Sequence, residues 1–385
     1  MRRLSLSLLP LLLLLLVAAC APVALPPSGP DQTASAAVTP AATAASPADT
    51  PSVAEGAGMT VTDARGRTVT LPAAPQRIVI TGKALFMIAD AAYLFPSAAE
   101  KIVGLGDAGQ GSRNFIRLID PNYAQKQILA RDAGAEQIAA LQPDLVLLKS
   151  YLAESVGAPI EALGLPVVYI DFETPEQYVR DLTILGKVFS DEARAAKVIA
   201  FYQAKIDAIA QAVKDAAKPR ALVLYYNDRD GNVAFNVPPL NWMQTQMVQM
   251  AGGEPVWADA NPGRGWTQVT LEQIAAWDAD QIFIISYFKD PGEVTSGLKA
   301  DPNWQAIRAV KEGQLYAFPG DLYSWDQPDP RWLLGLTWLA GKLHPDLFPD
   351  LDITAAAKEF YAALYGLDAA FVEQHIVPTF TGDIP

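Results

Sequence analysis

The sequence predicts an α/β fold that is built twice, as two Rossmann-like lobes of parallel sheet joined by one long helix. Three observations carry this prediction. Short apolar runs alternate with helical patterns in two separate series, a glycine-poor helical stretch lies between the series, and one helix-to-strand unit occurs in both. Because 51% of the 385 residues are apolar, the chain can fill two cores of ordinary domain size.

The strands are predicted from continuous apolar runs. These are residues 77–80, 102–105, 145–148 and 167–170 in the first series, and 221–225, 281–285 and 314–318 in the second. A run without polar alternation indicates a strand covered on both faces, which is typical of parallel sheets flanked by helices. The runs predict a first lobe over residues 59–173 and a second over 219–385, the latter ending in a helical tail.

The segment between the two series predicts a helix over residues 174–218. It contains one glycine, Gly186, and no proline after Pro175, and its apolar residues recur at helical spacing. We expect a single helix, bent at most near Gly186 and Ser190, that acts as a stiff connection between the lobes.

An internal repeat supports the duplication. Residues 136–141 (EQIAAL) and 272–277 (EQIAAW) each precede an aspartate and then a predicted strand, at a constant offset of 136 residues. Each unit places a glutamate, Glu136 or Glu272, near a helix start, where a carboxylate interacts favourably with the helix dipole. Helix capping alone is one explanation, since Thr270 followed by Glu272 and Gln273 is typical of a helix entrance.

The first residues predict an export signal with lipid attachment. Arg2 and Arg3 precede an apolar run over residues 8–17, and small residues follow before Cys20. Residues 17–20 (VAAC) resemble the lipobox of bacterial lipoproteins, in which the cysteine is acylated after cleavage. Residues 1–19 are therefore interpreted as a signal peptide and Cys20 as the lipidated residue. Since Cys20 is the sole cysteine of the chain, a disulfide within it is excluded.

Residues 20–58 are interpreted as the lipidated cysteine followed by a tether. Alanine, proline, serine and threonine dominate this stretch, a composition that cannot offset the entropy of ordering it. The formal charge of the whole chain is −13, which makes nucleic acid a poor partner. We therefore expect an extracytoplasmic protein held at the membrane by lipid alone, and a monomer.

The residues quoted above, with 61–69 (VTDARGRTV), 75–79 (PQRIV) and 141–146 (LQPDLV), resemble the substrate-binding lipoproteins of ABC importers that serve ferric siderophores, cobalamin and haem. The resemblance spans roughly residues 59–351. It implies two lobes that face each other across a cleft, and no enzymatic activity. It also implies that Glu136 and Glu272 dock on the two halves of a permease dimer, a role that capping does not provide.

Ligands of open α/β sheets bind beyond the carboxyl ends of the strands, which nominates the loops there. The first lobe offers cations and a tyrosine, and the second offers mainly aromatic side chains. The candidate ligand residues are Lys83, Arg113, Lys149 and Tyr151 in the first lobe, and Tyr226, Arg229, Trp242, Trp266, Tyr287, Tyr323, Trp325 and Arg331 in the second. For Arg331, a structural role early in a helix is the alternative.

The cations and aromatic groups predict an anionic or oxygen-rich ligand with a large flat surface, best satisfied by a ferric chelate. Molybdate or tungstate, cobalamin and haem remain alternatives on the same architecture. A bare metal ion is disfavoured because the two histidines, His344 and His375, do not stand at metal-ligand spacing, and no resident cofactor is predicted. An exported hydrolase is less favoured, since no Gly-x-Ser-x-Gly motif occurs.

Overall fold

The computed structural model describes residues 58–106, 114–228, 231–261, 263 and 265–384. The predicted signal peptide, Cys20, nearly all of the tether, and the candidate residues Arg113 and Arg229 lie outside these residues. Every element below belongs to one compact unit of the chain. In the part that the structure describes, no helix is both long and apolar enough to span a bilayer.

The first lobe contains a parallel sheet preceded by an antiparallel hairpin. Its strands are β1 (Met59–Thr62), β2 (Thr68–Leu71), β3 (Ile78–Ile80), β4 (Ile102–Gly106), β5 (Gln127–Leu129), β6 (Leu145–Lys149) and β7 (Val167–Ile170). β1 pairs only with β2, and the sheet order is β5-β4-β3-β6-β7 with every pair parallel. The four predicted strands of this lobe are confirmed, while β1, β2 and β5 were not predicted.

Helices cover both faces of the first sheet. They are α1 (Leu85–Ala92), α2 (Ala98–Lys101), α3 (Phe115–Ile119), α4 (Ala135–Ala139) and α5 (Ala158–Ala162), with single turns at Tyr123–Gln125, Ser150–Leu152 and Ala153–Gly157. All of β3, β6 and β7 is buried, as the continuous apolar runs predict. One face packs into the large core of the protein and the other into a smaller cluster that includes Ile138 of α4.

The connection between the lobes differs from the prediction. Residues 174–218 fold as two helices, α6 (Pro175–Val188) and α7 (Glu192–Val213), and not as one. Ser190 adopts a left-handed φ of 57°. Its N–H donates to the Lys187 carbonyl at 2.9 Å, and the N–H of Asp191 donates to the Gly186 carbonyl at 2.7 Å. This pair of bonds is the Schellman ending of a helix, and Asp191 then caps α7 through the N–H of Arg194.

The chain reverses at this turn, so that α7 packs antiparallel against α6. The ring centroids of Tyr178 in α6 and Tyr202 in α7 lie 5.4 Å apart. A Cβ built on Gly186 would lie 2.7 Å from the Cβ of Ala195, so the two backbones approach closely where α7 begins. The long connecting helix is therefore α7 alone, with 22 residues, and it leads directly into the second sheet.

The second lobe has a mixed sheet, which corrects the prediction of parallel strands throughout. Its strands are β8 (Arg220–Asn227), β9 (Ala234–Val237), β10 (Glu254–Pro255), β11 (Thr267–Val269), β12 (Gln281–Ile285) and β13 (Leu315–Ala317). The order is β11-β9-β8-β12-β13, with β10 beside the start of β8. β9 runs antiparallel to both of its neighbours, whereas β8, β10, β12 and β13 are parallel.

The second lobe carries helices on its sheet and a helical tail. The helices are α8 (Met243–Met250), α9 (Leu271–Ala276), α10 (Pro291–Ala300), α11 (Arg308–Lys311), α12 (Trp332–Leu343), α13 (Ile353–Tyr365) and α14 (Ala369–His375), with single turns at Ala258–Ala260, Trp304–Ala306 and Val377–Thr379. The tail returns to the sheet, where the Asp383 carboxylate accepts from the N–H of Ala317 at 2.8 Å. The α/β fold class is confirmed.

The carboxyl ends of the two sheets approach each other. Phe86 follows β3 in the first lobe, and Tyr323 follows β13 in the second. Their rings are stacked with centroids 4.6 Å apart, and the N–H of Phe115 donates to the Tyr323 hydroxyl at 3.4 Å. The ligand-side edges of the lobes therefore meet at one end through buried aromatic packing.

Candidate functional site

The candidate residues of the first lobe fall into two groups. Lys83 and Tyr151 are exposed at the ends of β3 and β6, and the Tyr151 hydroxyl lies 3.4 Å from the Lys83 carbonyl oxygen. Tyr151 keeps 58% of its surface exposed, and burial of the remainder raises the pKa of its hydroxyl. These two residues form the part of the predicted cation-bearing rim that is open to solvent in the described chain.

Lys149 does not face a ligand, contrary to prediction. Its side chain is fully buried, and its Nζ bonds to the Glu173 carboxylate at 2.6 Å and to the Asp171 carbonyl. Asp171 in turn accepts from Arg180 at 2.7 Å and from the Ser150 hydroxyl. The charge of Lys149 is therefore neutralised inside the first lobe, because a buried ammonium requires a partner.

Three of the six predicted aromatic side chains of the second lobe, Trp242, Trp266 and Tyr287, lie close together. The ring of Trp266 lies 5.6 Å from that of Trp242 and 6.5 Å from that of Tyr287. The residue that joins them is Tyr225, whose ring lies 5.0 Å from Trp266 and 4.6 Å from Tyr287. Trp242, Trp266 and Tyr287 are half-buried, so their rings combine a packed edge with an accessible one. We call Tyr225, Trp242, Trp266 and Tyr287 the aromatic cluster.

Tyr226 points to the opposite face of β8, since neighbouring residues of a strand alternate in direction. Its ring lies 5.8 Å from Phe235, which packs 4.8 Å from Trp304. These three rings line a cavity of about 570 Å³ between the sheet and α10. Tyr226 is thereby separated from the aromatic cluster, and the alternation along residues 225–226 was the signal that distinguishes the two tyrosines.

A buried carboxylate holds the aromatic cluster in place. The Tyr287 hydroxyl donates to Asp326 at 2.8 Å, and Gln244 donates to the same oxygen at 2.9 Å. The Ser324 hydroxyl donates to the other oxygen at 2.5 Å. Burial raises the pKa of Asp326, and the three donors oppose that rise by stabilising its charged form. Gln244 and Asp326 were not predicted as site residues.

Three other predicted ligand residues are buried in structural roles. Tyr323 stacks on Phe86 and is 3% exposed. Trp325 has no exposed surface and packs edge-on against Phe380 with centroids 5.5 Å apart. Arg331 is also fully buried, surrounded by carboxylates. The structural alternative for Arg331 is thus the correct one, and these three side chains are inaccessible to a ligand.

Arg331 forms a buried ionic cluster where the lobes meet. Its guanidinium bonds to Asp90 at 2.6 Å, Asp321 at 2.9 Å and Asp329 at 3.1 Å, and all four side chains are without exposed surface. Asp90 belongs to α1 in the first lobe, whereas the others belong to the second. Burial raises the pKa of Asp329 to about 8 and that of Asp90 to about 6. The Arg331 cation opposes this rise, while the neighbouring carboxylates add to it.

Glu136 and Glu272 occupy equivalent exposed positions. Each is the second residue of its helix, α4 or α9, and neither forms an ion pair with a residue that the structure describes. The reciprocal cap is made instead by the next residue. The Gln137 side chain accepts from the N–H of Gly134 at 3.0 Å, and the Gln273 side chain accepts from the N–H of Thr270 at 2.9 Å.

The two glutamates therefore remain on the surface although the helix starts are capped. Glu272 also interacts locally, because its carboxylate accepts from its own N–H and from the Thr270 hydroxyl, and these bonds lower its pKa. α4 follows β5, and α9 follows β11, which runs in the direction of β8 because β9 opposes both. In each lobe the glutamate thus lies in the helix that follows the carboxyl end of a strand.

Within the described ranges, no group of three or more histidine, cysteine, aspartate or glutamate side chains is arranged to hold a metal ion. Among the described candidate residues, the accessible groups are the aromatic rings, the Lys83 ammonium and the carboxylates of Glu136 and Glu272. Groups of these kinds can bind a ligand and can be contacted by a partner protein.

Comparison with known proteins identifies the family. The family model described as periplasmic binding protein matches residues 94–322. The chain belongs to this family. Its members are solute-binding proteins of the extracytoplasmic space, and the resemblance stated from the sequence is confirmed.

Individual relatives are similar to this protein over most of its chain. The molybdate-binding protein MolA of Haemophilus influenzae is 27% identical over 331 residues, which cover 79% of this chain and 90% of MolA. A cobalamin-binding protein of Halobacterium salinarum is 27% identical over 298 residues, covering 74% of each chain. A periplasmic solute-binding protein of Veillonella parvula has a solved structure that superposes with a TM-score of 0.67 at 25% identity, covering 83% of this chain and 97% of that one.

Proposed function

We propose that this protein captures an iron-siderophore or a related metal chelate outside the cytoplasm and delivers it to the permease of an ABC importer. Binding proteins of its family serve such importers, and delivery requires a surface that two similar permease halves can recognise. The observation that carries the proposal is the pair of equivalent exposed glutamates at the starts of α4 and α9.

The geometry supports docking by Glu136 and Glu272 beyond their value to the helices. Gln137 and Gln273 complete the caps, and neither glutamate pairs with a cation among the described residues, so both carboxylates can bind cations on a partner. One carboxylate in each lobe presents two equal charges to a permease dimer, which fixes orientation and accelerates encounter. Exposed carboxylates also interact with the helix dipole only weakly, so little is lost when they turn to a partner.

Transport in cells tests the docking role. In a strain lacking the native protein, we expect Glu136→Ala with Glu272→Ala to abolish uptake of iron-55 loaded chelates while ligand affinity is retained. The matched control is Glu100→Ala with Glu293→Ala, since each of these exposed glutamates also lies in the first turn of a helix, one in each lobe. Uptake preserved in the docking variant would refute this role.

The aromatic cluster supports a large ligand with flat or apolar surface. Half-buried rings of Trp242, Trp266 and Tyr287 provide such a contact area, held by the Asp326 network. The similarity to a cobalamin-binding protein supports a metal chelate as the ligand. In the first lobe, Lys149 is neutralised by Glu173, so it contributes no free charge to a small oxyanion.

Molybdate is the second candidate, because MolA is similar over most of the chain. A titration of the purified protein with ferric enterobactin, haemin, cyanocobalamin and sodium molybdate, followed by tryptophan fluorescence, separates the two. A chelate that contacts the aromatic cluster should quench emission and lose that effect in Trp266→Ala. Saturable binding of molybdate alone would replace the chelate assignment with the oxyanion one.

Lipid attachment at Cys20 is the last part of the proposal. A tether of residues 20–58 would keep the lobes close to the permease and so raise the effective concentration of the docking glutamates. Metabolic labelling with palmitate should mark the wild-type protein and leave Cys20→Ala unlabelled and released from membranes. A Cys20→Ala protein that stays membrane-bound would contradict the anchor.

A further inference from the structure

Each lobe has a polar corner where its docking helix ends and the next strand begins. In the first lobe, Arg77 stands just before β3 and reaches back to the turn that follows α4. Its Nε donates to the Gln142 carbonyl at 3.0 Å, and its Nη2 donates to the Leu141 carbonyl at 2.7 Å. Carbonyls at a helix end lack intrahelical donors, so the guanidinium satisfies two groups that otherwise depend on water.

Asp144 completes the corner of the first lobe. Its carboxylate accepts from the backbone N–H groups of Gln76 at 2.7 Å and Arg77 at 2.9 Å. The N–H of Asp144 donates to the Arg77 carbonyl at 3.0 Å. The start of β3, the start of β6 and the end of α4 are thereby joined by one arginine and one aspartate.

The second lobe repeats this arrangement. Arg220, at the start of β8, donates through Nη2 to the Trp277 carbonyl at 2.7 Å. The Asp280 carboxylate accepts from the N–H of Arg220 at 2.9 Å, and the N–H of Asp280 donates to the Arg220 carbonyl at 2.7 Å. Trp277 and Asp280 follow Leu141 and Asp144 at the same offset of 136 residues as the two glutamates.

One difference separates the two corners. The carbonyl equivalent to that of Gln142 belongs to Asp278, and it accepts from Arg308 at 3.0 Å. Arg308 also binds the carboxylates of Asp278 at 2.8 Å and Asp280 at 2.9 Å. Gln142 and Asp278 share a left-handed φ, at 49° and 43° respectively. Two arginines in the second lobe therefore make the bonds that Arg77 makes alone in the first.

We propose that Arg77 in the first lobe, and Arg220 with Arg308 in the second, are positioning residues that fix the direction of α4 and α9 and thereby place Glu136 and Glu272 for the permease. This inference rests on the proposed docking function. α4 has five residues and α9 has six, so neither helix is stable by itself. Their directions must come from tertiary contacts, which include those of the buried Ile138 and Ile274 and the arginine bonds at the helix ends.

The corner in the first lobe is the more vulnerable of the two. Loss of Arg77 removes both bonds to the end of α4, whereas loss of Arg220 leaves Arg308 bound to the Asp278 carbonyl. The first docking glutamate should therefore respond more strongly to a single arginine replacement than the second. This asymmetry distinguishes positioning from a general effect of removing a surface charge.

Spin labels on the two docking helices test the proposal directly. In the full chain with Cys20→Ser, spin labels at Glu136→Cys and Glu272→Cys report the distance between the two helix starts. The distance is measured by pulsed electron paramagnetic resonance. We expect a narrow distribution in this parent, a clear broadening or shift with Arg77→Met, and a smaller change with Arg220→Met. Arg77→Lys keeps the charge but loses the paired donors, and it should fall between the parent and Arg77→Met.

The control is Arg117→Met, which removes an exposed arginine of the same lobe whose side chain bonds to no described residue. It should leave the distance distribution unchanged. If Arg77→Met lowers the melting temperature but leaves the distribution as narrow as in the parent, Arg77 is merely structural and the inference is wrong. An unchanged distribution in both Arg77 variants contradicts it equally.

The outcome is separable from that of the docking proposal. If the Glu136→Ala and Glu272→Ala variant retains uptake, docking fails although the label distances can still respond to Arg77→Met. If that variant loses uptake and the label distances ignore every arginine replacement, docking stands and the positioning role fails. If docking and positioning are both correct, we expect Arg77→Met to slow uptake roughly tenfold, which corresponds to about 1.4 kcal/mol of docking energy.

Discussion

Arg331 of the second lobe donates to Asp90 of the first at 2.6 Å, and neither side chain has exposed surface. The same guanidinium lies 4.3 Å from the centre of the Phe115 ring, so it also packs on an aromatic side chain of the first lobe. A charged contact buried between two lobes resists their separation, because parting them would expose or unpair the charges. The lobes are therefore fastened at this end, and large closing movements are disfavoured there.

Replacement of Arg331 by methionine should strongly destabilise the protein. The variant keeps Asp90, Asp321 and Asp329 in the interior without their cation, and removing one partner of a buried ionic group typically costs about 3–5 kcal/mol. Urea unfolding of the purified protein measures the change. The exposed Arg117→Met should stay within about 0.5 kcal/mol of wild type. Equal midpoints for the two variants would show that the cluster does not hold the lobes.

The stability of the protein should fall as the pH rises from about 5 to about 8. Burial raises the pKa of Asp329 to about 8 and that of Asp90 to about 6, so the folded state holds protons that the unfolded state has released. Stability then decreases with pH across this window, by at most about 1.4 kcal/mol per pH unit for each proton. Above the folded pKa values, the cluster carries uncompensated negative charge.

Asp329→Asn isolates the contribution of this carboxyl group. The amide resembles the protonated acid in shape and does not titrate, so the unfolding free energy of the variant should change less between pH 5 and pH 8. The measurement is a series of urea titrations at fixed ionic strength. A wild-type stability that rises through this range, or a variant with the same slope as wild type, would contradict the assignment.

The aromatic cluster should govern ligand affinity. Trp266 contacts Trp242, Tyr225 and Tyr287, so Trp266→Ala opens the middle of the cluster. For the probe that binds in the fluorescence panel, we expect the dissociation constant to rise about tenfold, the effect of one aromatic contact worth ~1.4 kcal/mol. Tyr226→Ala is the control, because Tyr226 faces the opposite side of β8. An equal loss in both variants would place the ligand elsewhere.

The strands and the repeat were predictable because each depends on residues close in sequence. Continuous apolar runs marked seven strands, and the offset of 136 residues located the two helices that carry Glu136 and Glu272. The short strands β5, β9 and β11 were missed because each has only three or four residues and contains a polar residue, so none forms a continuous apolar run. The reversal after α6 depends on the left-handed Ser190, a residue that gives a much weaker signal than glycine in that position.

The candidate site was predicted less completely, because contacts with residues distant in sequence decide which of its side chains are buried and which are accessible. Lys149 is bound by Glu173, and Arg331 by Asp90, which is 241 residues away. No local sequence pattern predicts such pairs. The assignment of Tyr226 in place of Tyr225 has a different cause, since the strand was recognised but the face of its last residues was not. The structure brings together Trp242, Trp266 and Tyr287 as the strand ends suggested, whereas it buries Lys149, Tyr323, Trp325 and Arg331 elsewhere.

Two helical glycines should respond to alanine with opposite signs. In α6, a Cβ on Gly186 would lie 2.7 Å from the Ala195 Cβ and 3.3 Å from the Glu192 Cα, so the two helices must separate. In α10, a Cβ on Gly297 meets no atom within 4 Å. Alanine favours a helix over glycine by about 0.5–1 kcal/mol at either position, whereas overpacking at Gly186 costs about 1–3 kcal/mol.

We therefore expect Gly297→Ala to raise the melting temperature and Gly186→Ala to lower it, as measured by circular dichroism at one pH and protein concentration. The two variants differ from wild type by the same methyl group, so helix propensity is matched and only the local space differs. Because Gly186 lies where α7 starts back along α6, its response reports on the antiparallel packing of the two helices. Stabilisation by both substitutions would mean that α6 and α7 do not approach this closely, and that the connection is the single extended helix favoured by the sequence pattern.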